Sequence, residues 1–156
     1  MAKRIIFMGA DSAGYELKEM LSKKLSDAGY TVNDMGAHSA ESSHYPVYAS
    51  LVSEAVQKDP EGAFGILICG TGIGMSMVAN KHKGIRAALC GDTFSARMTR
   101  VHNDANVLCM GARVIGIELA KDIVDAFLAN EFERGGRHEM RVNMITAVEK
   151  KENQIG

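Results

Sequence analysis

The chain has 156 residues, 46% hydrophobic and 24% charged, with Lys+Arg 18 against Asp+Glu 19 for a formal net charge of -1. This is the size and composition of one ordinary globular domain built on one core, and it excludes a disordered or fibrous chain. The even charge balance leaves no basic excess for a nucleic-acid backbone, so nucleic acid is not an expected partner, and an anionic ligand has to be met by a few placed cations.

Nothing at the start resembles a secretion signal, since Lys3 and Arg4 precede only a short apolar run before Gly9 and Asp11. Residues 5–8 read as a strand, and 13–28 as a helix with Leu17, Met20, Leu21, Leu25 and Ala28 at helical spacing. Gly29 stops that helix, 30–35 is a half-polar strand suited to a sheet edge, and 36–44 is a polar loop. Pro46 suits the first turn of a helix, which Val47, Ala49, Leu51, Val52, Ala55 and Val56 continue until Asp59-Pro60-Glu61-Gly62 ends it. Residues 64–69 form a continuous apolar run, the pattern of a strand buried on both faces. The alternation then repeats: helix 75–81, strand 85–90, helix 93–102, strand 105–110, helix 118–129, and a last helix over 137–151.

The uncharged stretch 62–80 approaches the length of about 20 residues that a membrane span needs. Its five glycines, with Thr71 and Ser76, break it, and no membrane is expected. Five strands alternating with helices predict a single α/β domain over 1–156, a three-layer α/β/α body around a five-stranded parallel sheet with right-handed crossovers. Ligands of such sheets bind beyond the carboxyl ends of the strands. That rule points to Asp11 and Ser12, Cys69 and Thr71, Asp92, and Arg113.

The strongest local signal is Cys69-Gly70-Thr71-Gly72-Ile73-Gly74, a buried strand running into alternating glycines and then a helix. Such a turn can aim successive N–H groups at one anion, although a plain tight strand-to-helix turn explains the glycines equally well. Cys90 and Cys109 also end apolar strands and are expected to be small hydrophobes. Cys69 differs in having the glycine loop and a positive helix end beside it, which favour a thiolate able to act as nucleophile or as base toward carbon.

Three cysteines without a CxxC pair argue against a disulfide framework and against zinc, and fit a reducing cytoplasm. His38, His44, His82 and His138 show no metal-ligand spacing, so no metal is expected. His102 and Asn103 lie where a helix ends, a place where His often only satisfies carbonyls. Arg137 and Arg141 are four residues apart on one helix face after a glycine pair. A solvated basic face is the common explanation of such a pair, but with Arg113 the three cations could surround one phosphate. A rival reading is a nucleotide-binding module using the 70–74 loop with Asp92 on a ribose. Against it, the glycines read GxGxG, the loop follows the third strand, and no GK[ST] is present.

Taken in order, Gly9-Ala10-Asp11, Tyr45-Pro46, Ile68 through Gly74, Ala79-Asn80-Lys81, Gly84-Ile85-Arg86, His102-Asn103-Asp104, Gly111-Ala112-Arg113 and Gly136-Arg137-His138 resemble the type B ribose-5-phosphate isomerases, which are grouped with allose-6-phosphate and galactose-6-phosphate isomerases. The resemblance spans nearly the whole chain. It implies a Rossmann-like fold and a homodimer with active sites at the subunit interface, the last helix packing on the partner and the pairing of dimers into tetramers left open. It also implies no metal or organic cofactor and a sugar-phosphate substrate of the pentose phosphate pathway, isomerised reversibly between aldose and ketose through an enediolate.

By position, Cys69 resembles the base moving the proton between sugar carbons 1 and 2, Thr71 and Asp11 the groups handling hydroxyl protons, and His102 the ring-opening acid or base. The resemblance places Ser12, Tyr45, Gly70, Gly72, Ile73, Gly74 and Asn103 around the sugar, and Arg113, Arg137 and Arg141 on the phosphate. One position departs: Ser12 stands where family members commonly have His. This opens the length of the sugar, so that a six-carbon substrate such as allose 6-phosphate stands beside the five-carbon one.

Overall fold

Strands and helices alternate through residues 3–151, the part of the chain described by a computed structural model. In order they are β1 (Ile5–Ala10), α1 (Tyr15–Asp27), β2 (Val32–Asp34), α2 (Tyr45–Lys58), β3 (Ala63–Cys69), α3 (Ile73–Ala79), β4 (Ala87–Leu89), α4 (Thr93–Asn103), β5 (Val107–Gly111), α5 (Ile117–Leu128) and α6 (Arg137–Glu149). The five strands pair in parallel in the order β2-β1-β3-β5-β4, the three-layer α/β arrangement expected from the sequence. The chain steps from β1 to one side, then crosses back so that β3 lies on the other side of β1. The crevice beyond the carboxyl ends of β1 and β3 is therefore the switch point of the sheet.

All seven residues of β3 are buried, and their alternation explains the unbroken apolar run. Phe64, Ile66 and Ile68 face a core closed by Leu17, Leu21 and Leu25 of α1, Ala96 of α4, and Ile123, Val124 and Phe127 of α5. Leu67 and Cys69 face the other layer, packed with Val52 and Val56 of α2 and Met75 and Ala79 of α3. A fully buried Leu or Ile contributes roughly 1.5–3 kcal/mol, so this two-sided strand is the main anchor of the fold. Helix α6 lies outside these layers, against α4.

Both edge strands are shorter than the sequence pattern suggests, at 32–34 instead of 30–35 and 87–89 instead of 85–90. Side chains take over the pairing at β4. Asn80 brackets Ala87, donating to its carbonyl at 2.9 Å and accepting its N–H at 2.8 Å. Asn106 accepts the Arg86 N–H at 2.8 Å and donates to the Gly84 carbonyl at 2.9 Å. At the opposite edge, Lys18 of α1 is fully buried and reaches Asp34 of β2 at 2.5 Å and Glu19 at 2.8 Å. Burial works to raise the Asp34 carboxyl, but the hydrogen bonds from Lys18 and the Gly36 amide, with the Lys18 charge, outweigh it and hold the group below its ordinary range.

Candidate active site

The switch point collects the loops after β1, β3 and β5. After β1, Asp11 turns the chain into α1: its Oδ1 accepts N–H groups from Ala13 at 3.0 Å and Gly14 at 3.1 Å, while its own N–H is bonded to the Ile68 carbonyl of β3 at 3.3 Å. Ser12 lies in this turn, half-buried. After β3, the Cys69 carbonyl accepts the Ala112 N–H at 2.9 Å and the Gly70 carbonyl accepts the Arg113 N–H at 3.0 Å, which stitches the loop after β5 onto the end of β3. The Arg113 side chain consequently runs alongside Gly70.

Cys69 is 5% exposed, beneath the glycine loop, and its Sγ accepts the Gly72 N–H at 3.1 Å. An amide donated to sulfur stabilises negative charge there. The other two thiols lack this arrangement. Burial, with Asp92 nearby, pushes Cys90 up to about 11, and burial drives Cys109 further up still.

The sequence suggested a nest of successive N–H groups, and the loop is built differently. Only Gly72 takes a positive φ, at 78°, as the residue preceding α3. Gly74 has no positive φ, and a Cβ there would stand 2.7 Å from the ring of the exposed Tyr45, which would have to swing aside. Two loop amides already have side-chain acceptors: Gly72 N–H bonds Cys69, and Ile73 N–H bonds Thr71 Oγ1 at 3.3 Å. Thr71 and Ile73 are exposed over the switch point. Asp92 is a helix cap, its two oxygens accepting from the Ser95 N–H at 2.7 Å and hydroxyl at 2.9 Å. That removes the residue on which the nucleotide reading relied.

The remaining expected residues lie at the other end of the sheet. Helix α4 leaves the carboxyl end of β4 and returns to the start of β5, so His102 and Asn103 sit at the amino-terminal edge. The Asn103 carbonyl accepts from Arg86, just before β4, at 3.1 Å. Since β5 separates that edge from the end of β3, His102 and Cys69 of one chain are about 13 Å or more apart at roughly 3.3 Å per residue.

His102 is stacked on His138, the second residue of α6, with ring centroids 4.0 Å apart and planes inclined by 11°. Arg137 and Arg141 are exposed on the same helix. Arginine ion pairs among the described residues are confined to Arg86 and Arg100, which leaves Arg113, Arg137 and Arg141 without a carboxylate partner. Sequence reasoning gave His138 no role; the sign was its place in the Gly136-Arg137-His138 segment, but only the fold brings it onto His102. Among the described residues no group of three or more His, Cys, Asp or Glu side chains is placed to hold a metal ion, and no helix is long and apolar enough to cross a membrane.

The fold and site together define an α/β enzyme of Rossmann-like architecture, with a thiol and its amide donor at the switch point of the sheet. Residues 6–145 match the Ribose/Galactose Isomerase family, and the chain belongs to it. It is 50% identical over 151 residues to ribose-5-phosphate isomerase B of Escherichia coli, covering 97% of this chain and 99% of that one. It is also 50% identical over 132 residues to D-erythrulose-4-phosphate isomerase of Pectobacterium atrosepticum, covering 84% and 86%. Among solved structures, ribose-5-phosphate isomerase B of Mycoplasma genitalium with bound ribulose-5-phosphate superposes with a TM-score of 0.92 at 39% identity, over 97% of this chain and 99% of that one.

Proposed function

We propose that the protein interconverts ribose 5-phosphate and ribulose 5-phosphate through an enediolate. The observation that carries this reading is the Cys69 sulfur at the switch point, accepting the Gly72 N–H at 3.1 Å. In the forward direction Cys69 takes the proton from carbon 2 of the open aldose while the carbonyl oxygen on carbon 1 gains one. The hydroxyl on carbon 2 then gives up its proton as the sulfur returns the first to carbon 1. Thr71 and Asp11 serve the hydroxyl protons, and loop amides other than those of Gly72 and Ile73, which are bonded to Cys69 and Thr71, are left to meet the developing negative oxygen. Removing one such donor typically costs about 3–4 kcal/mol of barrier. No metal or organic cofactor enters this scheme. The product belongs to the pentose phosphate pathway, and the three free thiols fit the reducing cytoplasm.

The scheme needs two copies of the chain. His102 to open the sugar ring, Asn103 near the reacting end, and Arg137 and Arg141 for the phosphate are at the edge remote from Cys69, so a homodimer brings them from the second copy to Cys69 and Arg113 of the first. Exposed Val47, Leu51, Ile73 and Met77 around α2 and α3, and Met140, Ile145 and Val148 on α6, supply apolar surface for that contact.

The purified protein is expected to form ribulose 5-phosphate from ribose 5-phosphate, and Cys69→Ala to lose nearly all of it; undiminished turnover removes Cys69 as the base. Mixing inactive Cys69→Ala and His102→Ala chains under exchange conditions should restore about a quarter of the activity, since half of the dimers are mixed and each carries one intact composite site. No recovery despite proven exchange would mean that the site is not shared.

Sugar length has a second reading, favoured by Ser12 and by the four-carbon substrate in the name of the Pectobacterium relative. Parallel kcat/KM values on erythrulose 4-phosphate, ribose 5-phosphate and allose 6-phosphate decide it.

A further inference from the structure

We infer that His138 is a positioning residue for His102, fixing the orientation of the imidazole that opens the sugar ring; this rests on the proposed role of His102. An active-site histidine is commonly oriented by a hydrogen bond to one of its ring nitrogens. Within one chain, among the described residues, His102 makes its contact through the ring face, while the ring nitrogen in a hydrogen bond is the Nδ1 of His82. What holds His102 is the face-to-face contact with His138, at 4.0 Å and 11°. A stack occupies one face and leaves both nitrogens on the ring edge available to a ligand.

The plate is itself anchored. His138 is 13% exposed, its Nε2 lies 4.0 Å from Glu133 Oε2, and the Glu133 N–H bonds the Val101 carbonyl of α4 at 3.1 Å. The segment leading into α6 is thus tied to the turn of α4 that carries His102.

The charges around the pair favour a neutral plate. Desolvation, then the His102 ring, Arg137 and Arg141, push His138 below its ordinary range against the opposite pull of Glu133. Two stacked imidazolium rings repel, so proton uptake by one ring opposes uptake by the other. Acid therefore works against the stack. The penalty begins as pH falls below about 6.5, the ordinary histidine value, and is complete below the folded value of His138.

The test compares His138→Ala, which removes the plate, with His138→Phe, which keeps an aromatic face without a charge. Two rates are read: net isomerisation of cyclic ribose 5-phosphate, and solvent deuterium exchange into carbon 1 of open-chain ribulose 5-phosphate, which needs Cys69 but no ring opening. His138→Ala should slow isomerisation by about 10-fold to 100-fold, mainly in kcat, with exchange within about 2-fold of wild type. His138→Phe should restore most of the isomerisation.

Equal loss of exchange and isomerisation in His138→Ala, no rescue by Phe, or an unchanged isomerisation rate overturns the inference. If His102→Ala itself isomerises normally, the ring-opening role falls and the inference with it. If His102→Ala is slow and His138→Ala is normal, only the positioning role falls.

Discussion

Gly72 leaves little room for a side chain in the glycine loop. Its φ of 78° is left-handed, and a Cβ there would stand 2.6 Å from Leu89 Cδ1 and 2.8 Å from the Met110 carbonyl carbon. Neither the backbone of β5 nor the loop stitched to it can give way cheaply. Gly72→Ala is therefore expected to lower stability by more than the roughly 1–2 kcal/mol of left-handed strain alone, and to move the amide that faces Cys69. Urea unfolding with parallel kinetics measures both, and a stability loss below that strain would show the loop to be softer than its contacts imply. Arg137→Ala and Arg141→Ala should mainly raise KM, as expected of binding shared by substrate and transition state. A fall confined to kcat would assign them to the chemical step instead. Iodoacetamide at pH 8 should leave Cys90 and Cys109 unmodified in the folded protein, since burial keeps both thiols protonated. Peptide mapping that finds either labelled in the native state contradicts that burial.

Among the elements, the edge strands depend on side chains more than the inner ones do. Asn80→Ala removes both bonds to Ala87 and should cost about 1–3 kcal/mol by leaving edge backbone groups unpaired; a change within error in urea unfolding would mean that water replaces the bracket. Asp34→Asn strips the fully buried Lys18 of one of its two carboxylates and should cost on the order of 1–3 kcal/mol at pH 7. Because the folded Asp34 value is depressed, its contribution is present above the unfolded value of about 3.9 and disappears as pH falls through the folded one. The wild type and Asp34→Asn should therefore converge in stability as pH drops below about 4, and a constant gap would place the effect outside the ion pair. None of these devices was visible in the sequence. Apolar periodicity identified β3 and α5 closely, because burial on a fixed face repeats in the chain. Lys18 finds Asp34 16 residues on, Asn106 finds Arg86 and Gly84 20 and 22 residues back, and Asn80 finds Ala87 seven residues on across a turn, and none of these spacings belongs to a period that could be read.

At the scale of the whole molecule, the sequence placed most of the expected site residues at strand or helix ends, with Arg141 a turn inside the last helix, and the fold sorts those residues into two groups. Cys69, Thr71, Asp11, Ser12, Tyr45 and Arg113 lie around the carboxyl ends of the strands, whereas His102, Asn103, Arg137 and Arg141 belong to α4 and α6 at the opposite edge. Neighbourhood along the chain could not show this division, because it depends on where α4 returns after crossing the sheet. The glycine loop stood out in the sequence for the same reason that its detailed shape was missed. Composition announces backbone freedom, but only contacts such as Tyr45 against Gly74 say whether that freedom is used for dihedral angle or for room. The bracketed rim at β4 and the three-residue rim at β2 carry a final consequence. A foreign or misfolded segment seeking to lengthen the sheet meets amide groups already engaged at one margin and few free ones at the other, so the molecule offers cross-β growth little template and leaves the proposed homodimer to form through helical surfaces.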